Sequence, residues 1–557
     1  MPTVNGVGEP CARERHARFE VAGAGNGVAR SAICGLWVGV LRYATTMTWS
    51  EPSRSINYYR ASARPYTSWR ELVLASPRKC PPDRRNCSYQ ANRILQQKGI
   101  SEMNSSATNL VKVESGGTGV AAHVGLHALG ALADKLNLGA LLSSRVEMRG
   151  ERLPQHERGK VITQLALVLA GGGESCADIE HLRVQEELFG SVPSDTTVFR
   201  TMHEFDGAAR AELAVALAEV REKVWKKLDT NKKLPVILDF DASLVDVSSE
   251  LKENAGPTYK GGFGFHPLFV FADLTGETLA AKLRPGNAGA NTVSDHVELF
   301  DAALAQLPKD VASGHHAGDD PTLATRRVIA RADGAGCTKG FFAACRERHV
   351  TFFVSARSNA QIWGAIHATA TKSRLWRATL TQKGERKNAS TVCEMTTLMD
   401  LSNMPEGTRC IVRREPLHPG AQRSLFPSSN YRYWGFYTDA AGTPAQLDQR
   451  MRAHAHVESR IQRLKDSGLN AFPFSKFEAN ATWLMTVALA GDLVRWFQLL
   501  CLSGEWRNAR PKALRWEIFH APGRLIYSAR SRIVRLLEGW PAAGQLLHAY
   551  QAIALLS

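Results

Sequence analysis

Among the 557 residues no Cys-x-x-Cys pair occurs, and the ten cysteines are scattered from Cys11 to Cys501. That spacing excludes a zinc-finger ligand set and a compact disulfide framework, and it points to a reducing cytoplasm. Long hydrophobic runs are also lacking. The longest apolar stretch, Trp483 to Leu502, is interrupted by Asp492 and Arg495, so it reads as a buried helix and not as a membrane span. Ala32 to Leu41 is shorter still and has no signal-peptide cleavage pattern. No internal repeat is evident. Acidic residues are too few to balance the basic ones: the net charge of +16 suits a polyanionic partner, most often nucleic acid, and an anionic membrane fits the number equally well.

That charge is uneven. Residues 1–100 hold thirteen Arg and two Lys against six acids, with no sustained periodicity, and this Arg-rich usage is foreign to the rest. Residues 1–102 are therefore expected to be a translated leader upstream of a start at Met103, the alternative being a disordered basic arm that binds DNA. Residues 103–230 then read as a helical, DNA-binding domain. Its helices are expected over Ala121–Leu142, Val161–Ala170 (stopped by Gly171-Gly172-Gly173), Asp195 onward behind Ser194, and Ala208–Lys227. A helix, turn and helix of this size places Thr196, Thr197, Arg200 and His203 near the start of a candidate reading helix; simple packing of a helical hairpin is the plainer account.

The chain is organised around LPVILDFDASLVD, residues 234–246. Val236, Ile237 and Leu238 form a strand-length apolar run, and Asp239 and Asp241, two residues apart, share one face of it. Paired carboxylates at the tip of a buried strand need a positive partner, and a divalent metal is the simplest. A strand that merely runs into an acidic loop is the plainer reading. Further strands are expected at Gly264–Asp273, Glu277–Arg284, Arg327–Ala332 (ending at Asp333) and Val350–Ser355, with helices at Asn291–Leu307 and Thr338–Arg348. Three meander strands followed by helix, strand, helix and strand is the order of an α/β ribonuclease-H-like fold. Residues 231–356 and 438–495 are assigned to that catalytic core, and 357–437 (RATLTQ, EMTTLM, RCIVRRE, YWGFYT) to a β-rich insertion in which Trp434 offers a base-stacking surface. Thr443-Pro444-Ala445-Gln446 starts a helix expected to reach Ser467, with Glu458 on or beside its apolar stripe and Lys465 on nearly the same face. Residues 496–557 read as a helical C-terminal region.

Four segments in series resemble the DDE transposases of bacterial insertion sequences, specifically the 1380 insertion-sequence family in DDE group 1. They are LDFDAS at 238–243, GGFGFHPLFVFADLTGETL at 261–279 with RPGNAGANT at 284–292, RADGAG at 331–336, and HVESRIQRLKDSGLNAFPFSKFEANATWL at 456–484. The resemblance covers about 117–494. It implies a transposase that binds terminal inverted repeats and performs metal-dependent DNA cleavage and strand transfer, with Asp241, Asp333 and Glu458 as the catalytic and metal-binding triad. Asp239 is then a substitute ligand or a supporting partner. Mg²⁺ is the implied cofactor, with Mn²⁺ substituting. The implied partners are terminal-repeat and target DNA and a second copy of the chain assembled on DNA, with no membrane involved and a bacterial cytoplasmic, nucleoid-associated location. Lys465, Arg452 and His454 are the implied DNA contacts beside the third acid, where His454 stands at a position that relatives fill with Arg. His266, Asn287 and Asn291, with Lys465, are further candidates for phosphate or metal-shell contacts. Two alternatives stay open: a ribonuclease-H-like nuclease that does not join strands, and a non-catalytic DNA-binding descendant.

Overall fold

The computed structural model describes residues 118–146, 154–228, 234–418, 420 and 430–556. The expectations for 1–102 and the start at Met103 lie outside the described residues. In chain order the strands are β1 (Val120–Ala121), β2 (Val236–Ala242), β3 (Val245–Asp246), β4 (Gly256–Pro257), β5 (Phe263–Phe265), β6 (Leu268–Ala272), β7 (Thr278–Lys282), β8 (Val328–Ala332), β9 (Thr351–Ser355), β10 (Arg377–Leu380), β11 (Arg386–Glu394), β12 (Arg409–Pro416), β13 (Tyr431–Thr438), β14 (Gly523–Ser528) and β15 (Ser531–Leu536). The longer helices are α1 (Val124–Lys135), α2 (Leu138–Ser144), α3 (Arg158–Gly171), α4 (Asp195–Glu204), α5 (Gly207–Lys227), α6 (Val293–Ala305), α7 (Lys339–Glu347), α8 (Ala360–Thr369), α9 (Pro444–Arg452), α10 (His456–Leu464), α11 (Phe477–Cys501) and α12 (Ala543–Leu555).

A mixed nine-stranded sheet runs in the order β10-β11-β12-β13-β9-β8-β2-β6-β7. Its centre is β2, antiparallel to β6 and parallel to β8, which is parallel to β9. Every residue of β6 and β8 is buried, as strands covered on both faces require. Helices α6 and α7 cross between β7, β8 and β9 and close one face through Phe240, Phe300 and Phe341, whose rings meet edge-on or tilted.

Helix signals in the sequence act locally. Ser194 accepts from the Thr197 N–H to cap α4, Asp206 caps α5, and Thr443 and Gln446 form the capping box of α9. Gly172, at φ 102°, ends α3 in the left-handed region. The expected helix over 121–142 is instead two, α1 and α2, because Asn137 adopts φ 58° between them.

Several expectations are corrected. The run 264–273 is two strands in different sheets, parted at His266-Pro267, where proline has no N–H to give a ladder. EMTTLM is not a strand: β11 ends at Glu394 and Thr396–Leu398 forms a 3₁₀ turn. The strands within 357–437 extend the main sheet, since β13 pairs with β9. The helix from Thr443 to Ser467 is broken by a 3₁₀ turn at Ala453–Ala455. The C-terminal region is not helical throughout: β14 and β15 form a hairpin that pairs with β1.

Helix α11 is long and apolar enough to cross a membrane by length and composition, but most of it is buried against α3, α4, α5 and β7. A polar cluster ties these layers together. Glu277 is fully buried and accepts from Arg221 Nε (2.9 Å), Trp225 Nε1 (2.7 Å) and Trp496 Nε1 (2.7 Å). Arg221, on α5, also pairs with Asp492 on α11 at 2.5 Å. One arginine faces two carboxylates here, and burial followed by the charge of Glu277 pushes Asp492 up to about 7.

Candidate functional site

Asp239 and Asp241 leave β2 on one face, yet their surroundings differ. Asp239 lies across from Arg331 in the parallel register of β2 and β8. Arg331 grips it with Nε to Oδ1 at 2.7 Å and Nη2 to Oδ2 at 2.8 Å. Arg460 Nη1 adds a bond to Oδ2 at 2.6 Å and His454 Nδ1 one to Oδ1 at 2.9 Å. Arg331 and Arg460 also share Asp273, which follows β6, and His456 Nδ1 reaches the same carboxylate at 3.3 Å. These partners hold Asp239 well below the usual carboxylate range despite complete burial. Both of its oxygens are committed to cations, so it is a structural counter-ion, and its expected role as a stand-in metal ligand is not what its contacts provide.

Asp241 lies one residue past Phe240, which pairs with Ala332, the last residue of β8; Asp333 is the next residue there. The two carboxylates thus leave neighbouring parallel strand ends together. Glu458 comes from the first turn of α10, which packs on β2. Burial, then the charge of Asp333, with Glu458 adding to it, push Asp241 up to about 7, against a weaker opposing pull from His454 and the Ala242 N–H at 2.8 Å. Asp333 accepts from the Ala335 N–H at 2.8 Å and is otherwise open to solvent; Glu458 is exposed too. The sequence placed Glu458 on the inner stripe of a continuous helix. The 3₁₀ turn at Ala453–Ala455 interrupts that helix; Ile461 and Leu464 keep their expected inward places, joined by Val457 and Arg460, while Glu458 is exposed beside them.

No salt bridge engages Asp241, Asp333 or Glu458 among the described residues. In donor chemistry this carboxylate set suits a hard divalent cation. As the side chains stand, no group of three or more His, Cys, Asp or Glu among the described residues is close enough to hold a metal ion together. His266 and His296 are buried near Asp333, whose charge opposes the lowering that burial imposes on both.

The expected DNA contacts separate into open and committed groups. Arg200 and Thr196 are exposed on α4, and Asn287 and Asn291 are exposed before α6. Lys465 is half-buried in a π turn after α10, where burial and Lys260 lower its pKa. Thr197 is spent on the N-cap with Ser194, and His203 packs against Phe199 and Phe474. Three expectations are corrected. Arg452 is fixed by Asp448 (2.8 Å) and the Leu380 carbonyl, and His454 is buried against Asp239, so neither reaches outward. Trp434 lies under the Arg413 guanidinium at 4.3 Å instead of presenting a free face. The sequence reading missed Arg331, Arg460 and Asp273. The first two sit inside the quoted RADGAG and HVESRIQR segments, and an apolar strand with one arginine was the available signal for Arg331.

No curated protein matches the chain. Among solved structures, one similar chain is in a cryo-EM structure of the piggyBac transposase synaptic complex with hairpin DNA, with 10% identity and a TM-score of 0.36 over 72% of this chain and 80% of that one. A family model matches 104–557, which takes in the acid-bearing strands, α10 and the whole helical body: the chain belongs to the family described as transposase DDE domain group 1.

Proposed function

We propose that the chain is the transposase of an insertion sequence, one that binds the terminal inverted repeats, cuts DNA there and joins the cut end to a target, with Asp241, Asp333 and Glu458 as its catalytic acids. The observation that carries this reading is the contrast on β2. Asp239 is paired with two arginines and a histidine, whereas Asp241 is driven up to about 7 by burial and then by the charge of Asp333, with a smaller push from Glu458, and among the described residues it makes no salt bridge. The order β7-β6-β2-β8-β9, with β6 antiparallel and β8 and β9 parallel to the centre, supports a ribonuclease-H-like core under those acids. Membership of the narrower 1380 insertion-sequence family rests on the four quoted sequence segments, and the bacterial, nucleoid-associated location follows from it.

In this reading Asp241, Asp333 and Glu458 would hold Mg²⁺, or Mn²⁺ in its place. When bound, the metal supplies charge that stabilises the entering and leaving oxygens of an in-line phosphoryl transfer. The chain's own part is positioning. Arg331 and Arg460, by neutralising Asp239, keep the strand that carries Asp241 in register with β8 and α10. Lys465 and Lys260, close enough to lower Lys465 by repulsion, would offer paired positive charge to a DNA backbone. Water cleaves the P–O3′ bond at the element's end, leaving a 3′-hydroxyl and a 5′-phosphate. That hydroxyl then attacks a target phosphodiester and displaces its 3′ oxygen, so the number of ester bonds is conserved. One chain per DNA end gives a dimer on the paired ends.

The test is cleavage of a labelled duplex carrying the element's own end in Mg²⁺, by the parent and by Asp241→Ala, Asp333→Ala and Glu458→Ala. Cutting and joining by the parent alone is the expected result. Cutting without joining assigns a nuclease, and specific binding with no cutting in Mg²⁺ or Mn²⁺ assigns a non-catalytic DNA-binding protein; either result ends the transposase reading.

A further inference from the structure

The C-terminal hairpin was invisible as such in the sequence and takes no part in the acid site. Its strands β14 and β15 meet through Ala529 and Arg530, both left-handed (φ 46° and 65°), which is the backbone of a two-residue I′ turn. Between Gly523 and Leu536 there are four arginines, Arg524, Arg530, Arg532 and Arg535, and no Asp or Glu. The register sets Arg524 directly opposite Arg535. Like charges opposed across an antiparallel pair destabilise it. All four arginines are exposed, and among the described residues none makes an ion pair; Arg532 Nη1 reaches only the Glu187 carbonyl, at 3.2 Å. The face of Arg524 and Arg535 also carries Ile526 opposite Ile533, the latter 43% exposed, and Ser528 opposite Ser531 at the tip, while Arg532, opposite Tyr527, leaves the other face and Arg530 stands in the turn.

The root of the hairpin is firm. Leu525 is buried and donates its N–H to the Gly119 carbonyl at 2.6 Å, β1 pairs with Gly523 and Arg524, and a Cβ at Gly523 would meet Val124 at 2.9 Å. The ribbon is thus a fixed two-stranded projection with unbalanced charge.

We propose that this ribbon is a second DNA contact, distinct from the acid face, which enters the major groove of duplex DNA. Two strands about 5 Å apart and six residues long, roughly 20 Å, fit a groove about 12 Å wide. The arginines bind phosphates and guanine edges, the isoleucine pair lies against thymine methyl groups, and the repulsion between Arg524 and Arg535 is relieved by the anion. The inference rests on the reading that this chain handles DNA.

The experiment uses the full chain and a fluorescent duplex of about 30 base pairs of arbitrary sequence, titrated over a range of KCl. Each phosphate contact contributes about 0.9 to the log–log salt slope. A variant with all four arginines changed to Gln is expected to bind at least tenfold more weakly and to lose about 2–4 from the slope, while the four Arg→Lys changes keep the slope. An unchanged slope in the Gln variant overturns the proposal, as does a loss seen only with vesicles of anionic phospholipid or only in self-association through the open edge of β15. Should the Gln variant unfold by circular dichroism, Ser528→Cys bearing a photocrosslinker decides: capture of the duplex supports the ribbon and its absence overturns it. A parent that binds this duplex yet cuts no element end sinks the proposed function and leaves the ribbon result standing.

Discussion

Replacing Asp241 with Asn should make the protein more stable, and the gain should depend on pH. The folded protein holds Asp241 up to about 7, against an ordinary value of 3.8. Between those values the folded state binds more protons than the unfolded one, so the carboxyl's contribution is fully present below about pH 4 and is lost as pH rises through 7. The rise from 3.8 to about 7 corresponds to about 4 kcal/mol at pH 8 and under about 2 kcal/mol at pH 5. Asn does not titrate, and its Oδ1 can still accept the Ala242 N–H that Asp241 accepts at 2.8 Å. With a melting entropy of about 2 cal/mol/K per residue over the compact body Glu114–Ser557, each kcal/mol moves Tm by about 1 °C. Scanning calorimetry in EDTA should therefore place Asp241→Asn about 4 °C above the parent at pH 8, with the gap less than half as large at pH 5. Added Mg²⁺ should raise the parent and leave the variant nearly unmoved. A variant less stable than the parent at pH 8, or a gap equal at both pH values, would refute the argument that repulsion from Asp333 and Glu458, together with burial, sets the state of Asp241.

Arg331→Met should cost about 3–5 kcal/mol in urea unfolding, because it strips two of the four hydrogen bonds from a fully buried Asp239; Arg331→Met with Asp239→Leu should recover much of that loss, and equal costs for the single and double variants would contradict the ion-cluster account. Gly125→Ala places a Cβ 2.1 Å from the Ile518 carbonyl oxygen, a backbone atom that cannot swing away, so α1 must shift and about 1–3 kcal/mol should be lost; a neutral result by calorimetry would show that this packing yields. Thr443→Ala removes the cap of α9, at a cost of about 1 kcal/mol measured by the same urea titration. Lys465→Ala should lower the salt slope of DNA binding by about 1 while leaving Tm nearly unchanged, and an unaltered slope would remove it from the DNA face.

The sequence carried local signals well and long-range ones unevenly. The apolar run into β2, the Thr443 cap and the charged but buried helix α11 were legible because each depends on neighbours in sequence: strand-length β-branched residues, a capping box, and helical spacing around Asp492 and Arg495. The break at Ala453–Ala455 was not, since three residues of tighter turn barely disturb an apolar spacing: Ile461 and Leu464 stay buried across it. The ribbon β14–β15 was missed because its period-two alternation is short and its arginines mask the apolar pattern, while its partner strand β1 lies some 400 residues away. The acid pair on β2 shows where the boundary falls. Spacing alone puts Asp239 and Asp241 on one face with equal claims. What separates them is register: β8 sets Arg331 beside Asp239 and ends at Ala332, so Asp241 meets Asp333 instead of an arginine. A single step along two parallel strands therefore divides a neutralised structural charge from an acid left short of a cation, and that step is fixed by the pairing of β2 with a strand some ninety residues further along the chain.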